Sequence, residues 1–310
     1  MRGFHWGFGL AAVGMAVGLL QYLLLRRATL GHAGQEVSNP LDRAGRVRYG
    51  LVVAAVVVLV VLLSVAGVIT AGRLSSLVVA LTLAATVALF AVILTSHKIS
   101  TVERRRVLSF IPMFVASAVF WSLFQQQFTV VAVYADQRLN LSVFGWSMPP
   151  SWVQSINPIF IIVFAGVFAA MWTRLGPRQP ATPVKFAFGT IFMGIAFLLF
   201  LPYAGGGPNS TPLLWLVFIL FWFTMAELCL SPVGQSLSTK LAPEAFHTQM
   251  IALFFLSVAV GSAGAGTLAG LYDPERETPY FLLLGLGSVA VGVALLIANR
   301  PISRLMSGVH

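Results

Sequence analysis

Charge and cysteine are what this sequence has least of. Only 9% of its 310 residues are charged, with nine Asp and Glu against nineteen Lys and Arg, too few to clothe a water-soluble domain. The one cysteine, Cys229, lies inside a long apolar run, which excludes an internal disulfide framework and a thiolate metal cluster. The five histidines (His5, His32, His97, His247, His310) fall near span ends or in loops. No nucleophile, base and orienting group converge, so the sequence implies no enzyme, no metal and no cofactor.

Hydrophobic residues make up 58% of the chain and the mean hydropathy is +0.90. A helix needs about 20 apolar residues to cross a bilayer, and runs of that length start near Phe4, Leu51, Leu77, Leu108, Val153, Val184, Pro212, Thr248 and Tyr280. The pattern predicts an all-α polytopic membrane protein of about nine transmembrane helices, with the lipid bilayer as its first partner. The formal charge of +10 does not point to nucleic acid, because the basic residues sit in short loops where topology accounts for them. Taking alternate connections, fifteen of the nineteen Lys and Arg fall on one side. Positive residues are retained in the cytoplasm, so the N-terminus is expected outside and the C-terminus inside. An odd span number with an outside start and no signal peptide is an unusual beginning for a complete protein.

Four segments are expected. Residues 1–30 form a single span with small residues at Gly3, Gly7, Ala11 and Gly14, a spacing that permits close helix packing. Residues 31–50 form a basic cytoplasmic loop. Residues 51–100 form a hairpin of two almost wholly apolar spans, read as lipid-facing. Residues 101–310 hold six spans that carry the intramembrane polarity.

In FWSLFQQQFTVVAVYADQRLN, helical spacing places Ser122, Gln126 and Thr129 on one face with Gln125 at its edge. Glutamine amides need partners in hydrocarbon, either on a neighbouring helix or in a wet cavity. In PPSWVQSINPIFIIVF, Gln154 and Asn157 share a face, and Pro158 leaves the Gln154 carbonyl without its helical donor. The seventh run repeats this with a charge: in FTMAELCLSPVG, Pro232 frees the Leu228 carbonyl, Ser231 lies one turn from Glu227, and Gly234 permits close approach. Glu227 lies near mid-span, whereas the other eight acids fall in loops or at span ends. Such a carboxylate is expected to be protonated, neutralised by a bound cation, or paired from outside this chain. An intramembrane acid is by default a functional group, here a candidate for proton coupling. A channel would repeat polar rings along its pore; these polar positions gather near one depth, which suits a midplane site with alternating access.

The stretches WSLFQQQFTVVAVYADQRLN, PPSWVQSINPIF and MAELCLSPVGQSLSTKLAP closely resemble the seventh, eighth and tenth helices of proton-dependent oligopeptide transporters, a branch of the major facilitator superfamily. WTRLGPRQPATPVKF resembles that family's basic loop between the eighth and ninth helices. The resemblance implies the C-terminal six-helix half of a major facilitator fold, preceded by the sixth helix and a two-helix linker hairpin. It implies proton-coupled uptake of di- and tripeptides across the plasma membrane by a partial member lacking the N-terminal half, with that half as a further partner if another polypeptide carries it. The alternative is an inert truncated remnant or a structural membrane protein. The resemblance assigns Asn157 and Glu227 to the peptide's amino terminus, and places Gln125 where many members carry a glutamate. It puts Phe254 where relatives often have a tryptophan lining the pocket. Gln126 and Ser231 complete the expected substrate-binding set.

Overall fold

The computed structural model describes residues 2–31, 42–67, 70–143 and 145–308; His32, Glu36 and His310 lie outside them. Eleven α-helices are present among the described residues: α1 (Arg2–Leu30), α2 (Arg43–Val65), α3 (Ala71–Thr95), α4 (Thr101–Phe124), α5 (Val130–Arg138), α6 (Val153–Leu175), α7 (Thr182–Leu198), α8 (Leu213–Lys240), α9 (His247–Ala269), α10 (Glu277–Ile297) and α11 (Asn299–Leu305). They supply nine segments long and apolar enough to span a bilayer, α4 and α5 forming one of them.

The chain divides into two units, Met1–Ile69 and Thr70–His310. In the first, α2 buries none of its residues, and Leu10, Leu24, Leu51 and Leu62 stand more than half exposed. Lipid can solvate such a surface; water cannot. The expected 31–50 loop is shorter than the composition suggests, because α2 extends back to Arg43. Asp42 caps it, its Oδ1 accepting from the Gly45 N–H at 2.7 Å, and so holds polar residues in helix beyond the apolar run.

The unit boundary falls within the expected 51–100 hairpin. Its second helix, α3, joins the larger unit, packing on α9 and burying Thr86 and Ile93. So α3 has a protein face as well as a lipid face.

The larger unit is a bundle whose seams are α4 with α9, α7 with both α8 and α10, and α6 with α8. Small residues set the tightest of these. A Cβ on Gly194 would meet the Gly285 carbonyl at 2.6 Å, and one on Gly261 would meet the Ala118 carbonyl at 2.6 Å, so only glycine allows α7 against α10 and α9 against α4 at these distances. An aromatic cluster fills the interior. Phe200 stacks on Phe281 at 4.5 Å, Phe197 on Phe223 at 5.8 Å, and Tyr134 meets Phe200 edge-on at 5.1 Å. The Tyr134 hydroxyl shares a 2.7 Å hydrogen bond with Thr211, beside a two-residue parallel pairing of Leu139–Asn140 with Thr211–Pro212.

The fourth span is not one regular helix. It tightens into a 3-10 turn at Gln125–Phe128 and restarts at Val130, with Thr129 at φ −119°, ψ −90°. No proline or glycine marks the break, so an unbroken helix was the natural expectation. The glutamine side chains supply a reason: Gln125 and Gln126 both reach across to α9, and Gln126 also bonds back to the Ser122 carbonyl of its own helix.

Candidate functional site

The seam between α6 and α8 assembles Asn157, Thr224 and Glu227. Asn157, 4% exposed, lies in the second turn of α6, and its Nδ2 donates to Thr224 Oγ1 at 3.0 Å. That hydroxyl donates in turn to the Leu220 carbonyl at 3.0 Å, so its one proton is committed and its lone pairs are free for the amide. Thr224, Glu227 and Ser231 follow at helical spacing along one side of α8. Glu227 is half-buried between buried Ala226 and Leu228. Its Oε2 is buried and has no hydrogen-bond partner among the described residues, and no ion pair joins it to a described Lys or Arg. An acceptor left in this state costs free energy, and a ligand that donates to it would relieve that cost. Both α6 and α8 run on past their internal prolines, Pro158 and Pro232, which lack the N–H that would engage the Gln154 and Leu228 carbonyls.

The glutamines go elsewhere. Gln125 Nε2 donates to Ser262 Oγ at 3.0 Å. Gln126, 0% exposed, donates from Nε2 to the Ser122 and Ala265 carbonyls, each at 3.1 Å, and its Oε1 accepts from Thr129 Oγ1 at 3.0 Å. Gln126 is thus joined to the Ser122 backbone and the Thr129 side chain, but Ser262 and Ala265 belong to α9. Of the two open alternatives, bonding between helices is what these amides do. The third glutamine contributes its backbone: the Gln127 carbonyl accepts from Gln154 Nε2 at 2.8 Å, tying the turn to the start of α6. Among the described residues no hydrogen bond links Gln125 or Gln126 to Glu227 or Asn157; besides the Gln127–Gln154 bond, Phe124 meets Phe223 between the seams, ring centroids 6.3 Å apart.

Phe254 is buried, and its ring lies on the bare backbone of Gly234, where an added Cβ would come within 2.5 Å of it. It fills the contact between α8 and α9. The six expected residues therefore divide: Glu227, Asn157 and Ser231 at or beside the α6–α8 seam, Gln125 and Gln126 on the α4–α9 seam, and Phe254 on the α8–α9 seam.

Two features escaped sequence reasoning. Thr224, the hydroxyl that holds Asn157, could have been found as a lone polar residue one turn from the acid. Glu277, placed at a span end by counting, is 1% exposed. Its Oε1 accepts from Arg138 Nε at 3.3 Å and the Tyr272 hydroxyl at 2.7 Å, and its Oε2 accepts from the Gly205 N–H at 2.7 Å. Arg138 Nη2 also donates to the Pro274 carbonyl at 2.8 Å. Burial, with Glu277 accepting beside it, pushes the Tyr272 phenol well above its ordinary range, which keeps it a neutral donor. Position at a span end says nothing about burial by neighbouring chain.

Comparison with known proteins places this geometry. The POT family profile (PTR2) matches residues 1–283. The uncharacterised transporter YclF of Bacillus subtilis (strain 168) is 41% identical over 307 residues, 99% of this chain and 62% of the relative. A di-/tripeptide transporter of Lactococcus lactis subsp. cremoris is 34% identical over 319 residues, 99% of this chain and 64% of the relative. Among solved structures, a peptide transporter POT variant in complex with alafosfalin is 44% identical with a TM-score of 0.85, covering 98% of this chain and 62% of that one. A POT family transporter in complex with 5-aminolevulinic acid is 35% identical with a TM-score of 0.85, covering 97% and 64%. The chain thus spans 62% to 64% of the length of these relatives.

Proposed function

We propose, from the premise that this chain belongs to the POT family, that it forms the C-terminal part of a proton-coupled di- and tripeptide carrier of the cell membrane. It is a multi-pass membrane protein with a major facilitator fold. In the proposed site, Glu227 receives the peptide's amino-terminal ammonium and Asn157 adds a neutral hydrogen bond. Ser231 follows one turn along α8, while Gln125, Gln126 and Phe254 hold the adjoining α4–α9 and α8–α9 seams that shape the site. The observation that carries the reading is the buried, partnerless Oε2 of Glu227, beside an asparagine that Thr224 holds in place.

A carboxylate kept from water attracts an ammonium through weak screening, and the desolvation of both ions offsets much of that gain. Binding is therefore modest, as a carrier requires. Gln125 has no proton to exchange, so coupling falls to Glu227: protonation releases the ammonium, and deprotonation restores the receptor. Alternating access rocks one repeat against another around a midplane site, so these helices work against a second half, on the same or another polypeptide. The fifteen-to-four division of basic residues supports an outside N-terminus and a cytoplasmic C-terminus, and reporter fusions after Ser100 and Arg300 should both read cytoplasmic.

The deciding experiment is calorimetry of dipeptide binding to a form containing both halves. Truncating one partner of a desolvated charge pair costs roughly 2–5 kcal/mol, so Glu227→Gln should lose at least about tenfold in affinity. Asn157→Ala should lose less, about 1 kcal/mol for a neutral hydrogen bond. Unchanged affinity in Glu227→Gln would remove the amine-receptor role and return Glu227 to a buried structural group.

A further inference from the structure

We propose that a cavity at the end of the bundle where α6 gives way to α7 binds a phosphate group, carried by an anionic phospholipid headgroup or as the free ion. The cavity has a volume of about 250 Å³ and is walled in part by Trp172, Gln179, Thr182, Lys185, Ser236 and Lys240. One water occupies roughly 30 Å³ of liquid, so there is room for a polyatomic anion with its hydration. Two lysines and two hydroxyl-bearing residues line this space, and no acidic residue contributes to its wall.

Topology explains why basic residues occur at this end of the spans, but it asks only that they sit in a loop. Lys185 does not. It lies in the first turn of α7 and is half-buried. Its Nζ donates to Gln179 Oε1 at 2.7 Å and stands 4.4 Å over the Trp172 ring. Gln179 is itself held, its Nε2 donating to the Trp172 carbonyl at 2.8 Å. A chain of three residues thus orients one ammonium at the cavity, with Gln179 taking one of its three N–H donors. Thr182 opens α7, so the positive end of that helix is directed here as well. The Trp172 indole Nε1 is buried with no hydrogen-bond partner among the described residues, a donor on a wall residue that the protein leaves unsatisfied.

Holding a cation away from water is costly unless an anion compensates it. Lys is a point-charge binder of phosphate, and basic pockets between membrane helices near the interface suit lipid headgroups. A phosphodiester or inorganic phosphate is an anion of the sign that Lys185 and Lys240 attract, and its oxygens can accept from the hydroxyls of Thr182 and Ser236.

The test uses the purified 310-residue chain in detergent and calorimetry with three probes: short-chain phosphatidylglycerol, diacylglycerol with the same acyl chains, and inorganic phosphate. Saturable one-to-one binding of phosphatidylglycerol but not of inorganic phosphate supports the headgroup source, and saturable binding of inorganic phosphate supports the free ion. In either case diacylglycerol should not bind. Lys185→Gln with Lys240→Gln should weaken binding about tenfold or more, equal to about 1.4 kcal/mol. Arg300→Gln with Arg304→Gln, at exposed positions, removes the same charge elsewhere and should leave binding unchanged. Should the double lysine variant fail to fold, Lys240→Gln at its exposed site replaces it. Absence of saturable phosphate binding, an equal loss in the arginine variant, or unchanged affinity in Lys240→Gln would each overturn the proposal.

Discussion

Glu277 and Glu227 are two acids of one helical bundle, withdrawn from solvent in opposite ways. Glu277, at the head of α10, is 1% exposed and has both oxygens engaged, by an arginine, a phenol and a backbone N–H. Glu227, midway along α8, has an oxygen that is equally shut off from water and engages nothing described. The first arrangement closes a junction between the end of α5, the loop at Gly205 and the start of α10. The second leaves an acceptor waiting at the α6–α8 seam. On the function proposed above, the first carboxylate serves the structure and the second serves the substrate.

The largest effect should come from breaking the satisfied acid. Glu277→Ala strands Arg138, whose side chain is 17% exposed, and orphans the Tyr272 hydroxyl and the Gly205 N–H. Removing one partner of a buried pair costs about 3–5 kcal/mol, which at this chain length corresponds to a fall of roughly 6–20 °C in the unfolding temperature measured in detergent. Glu227→Gln should do the reverse: peptide affinity falls at least about tenfold while the unfolding temperature does not drop. Equal destabilisation by both variants would erase the distinction between the acids.

Two smaller changes sharpen the background against which those effects are read. Gly261→Ala places a methyl 2.6 Å from the Ala118 carbonyl and 2.7 Å from Trp121 Cβ, and overpacking of this kind costs about 1–3 kcal/mol. Gly287→Ala, with nothing within 4 Å, should melt with the parent. Smallest of all, Ser257→Ala removes the 2.7 Å bond between Ser117 and Ser257 across α4 and α9, about 0.6 kcal/mol by the average for such bonds in membranes. A loss comparable to that of Glu277→Ala would show that hydroxyl pairs, and not the ion cluster, hold this bundle.

Much of the fold was legible because hydrocarbon is a strict solvent. Each crossing must be a long apolar helix, so the nine spans stand out, and a mid-span acid such as Glu227 is conspicuous. The break at Gln125–Phe128 was hidden, since QQQF contains neither proline nor glycine and its cause lies on α9. The shared face of Gln154 and Asn157 was readable from spacing, but Thr224 as the hydroxyl that holds Asn157 was not, because the two positions lie on different helices. Phe254 read equally well as a pocket wall or as core, and Gly234 decides where its ring rests.

The sequence by itself determined the membrane class, the number of crossings, the helix on which each polar group rides and the family resemblance, because each of these depends on residues close together along the chain or on a contiguous motif. Only the tertiary structure decided which polar groups meet. It sent Gln125 and Gln126 to Ser262 and Ala265, it buried Glu277 at a place the linear count had left outside, and it left Glu227 Oε2 without a hydrogen-bond partner among the described residues. The physical reason is that helical periodicity orders side chains around one axis, whereas hydrogen-bond satisfaction in a bundle is settled between axes, where glycines such as Gly194 and Gly261 allow two backbones to approach.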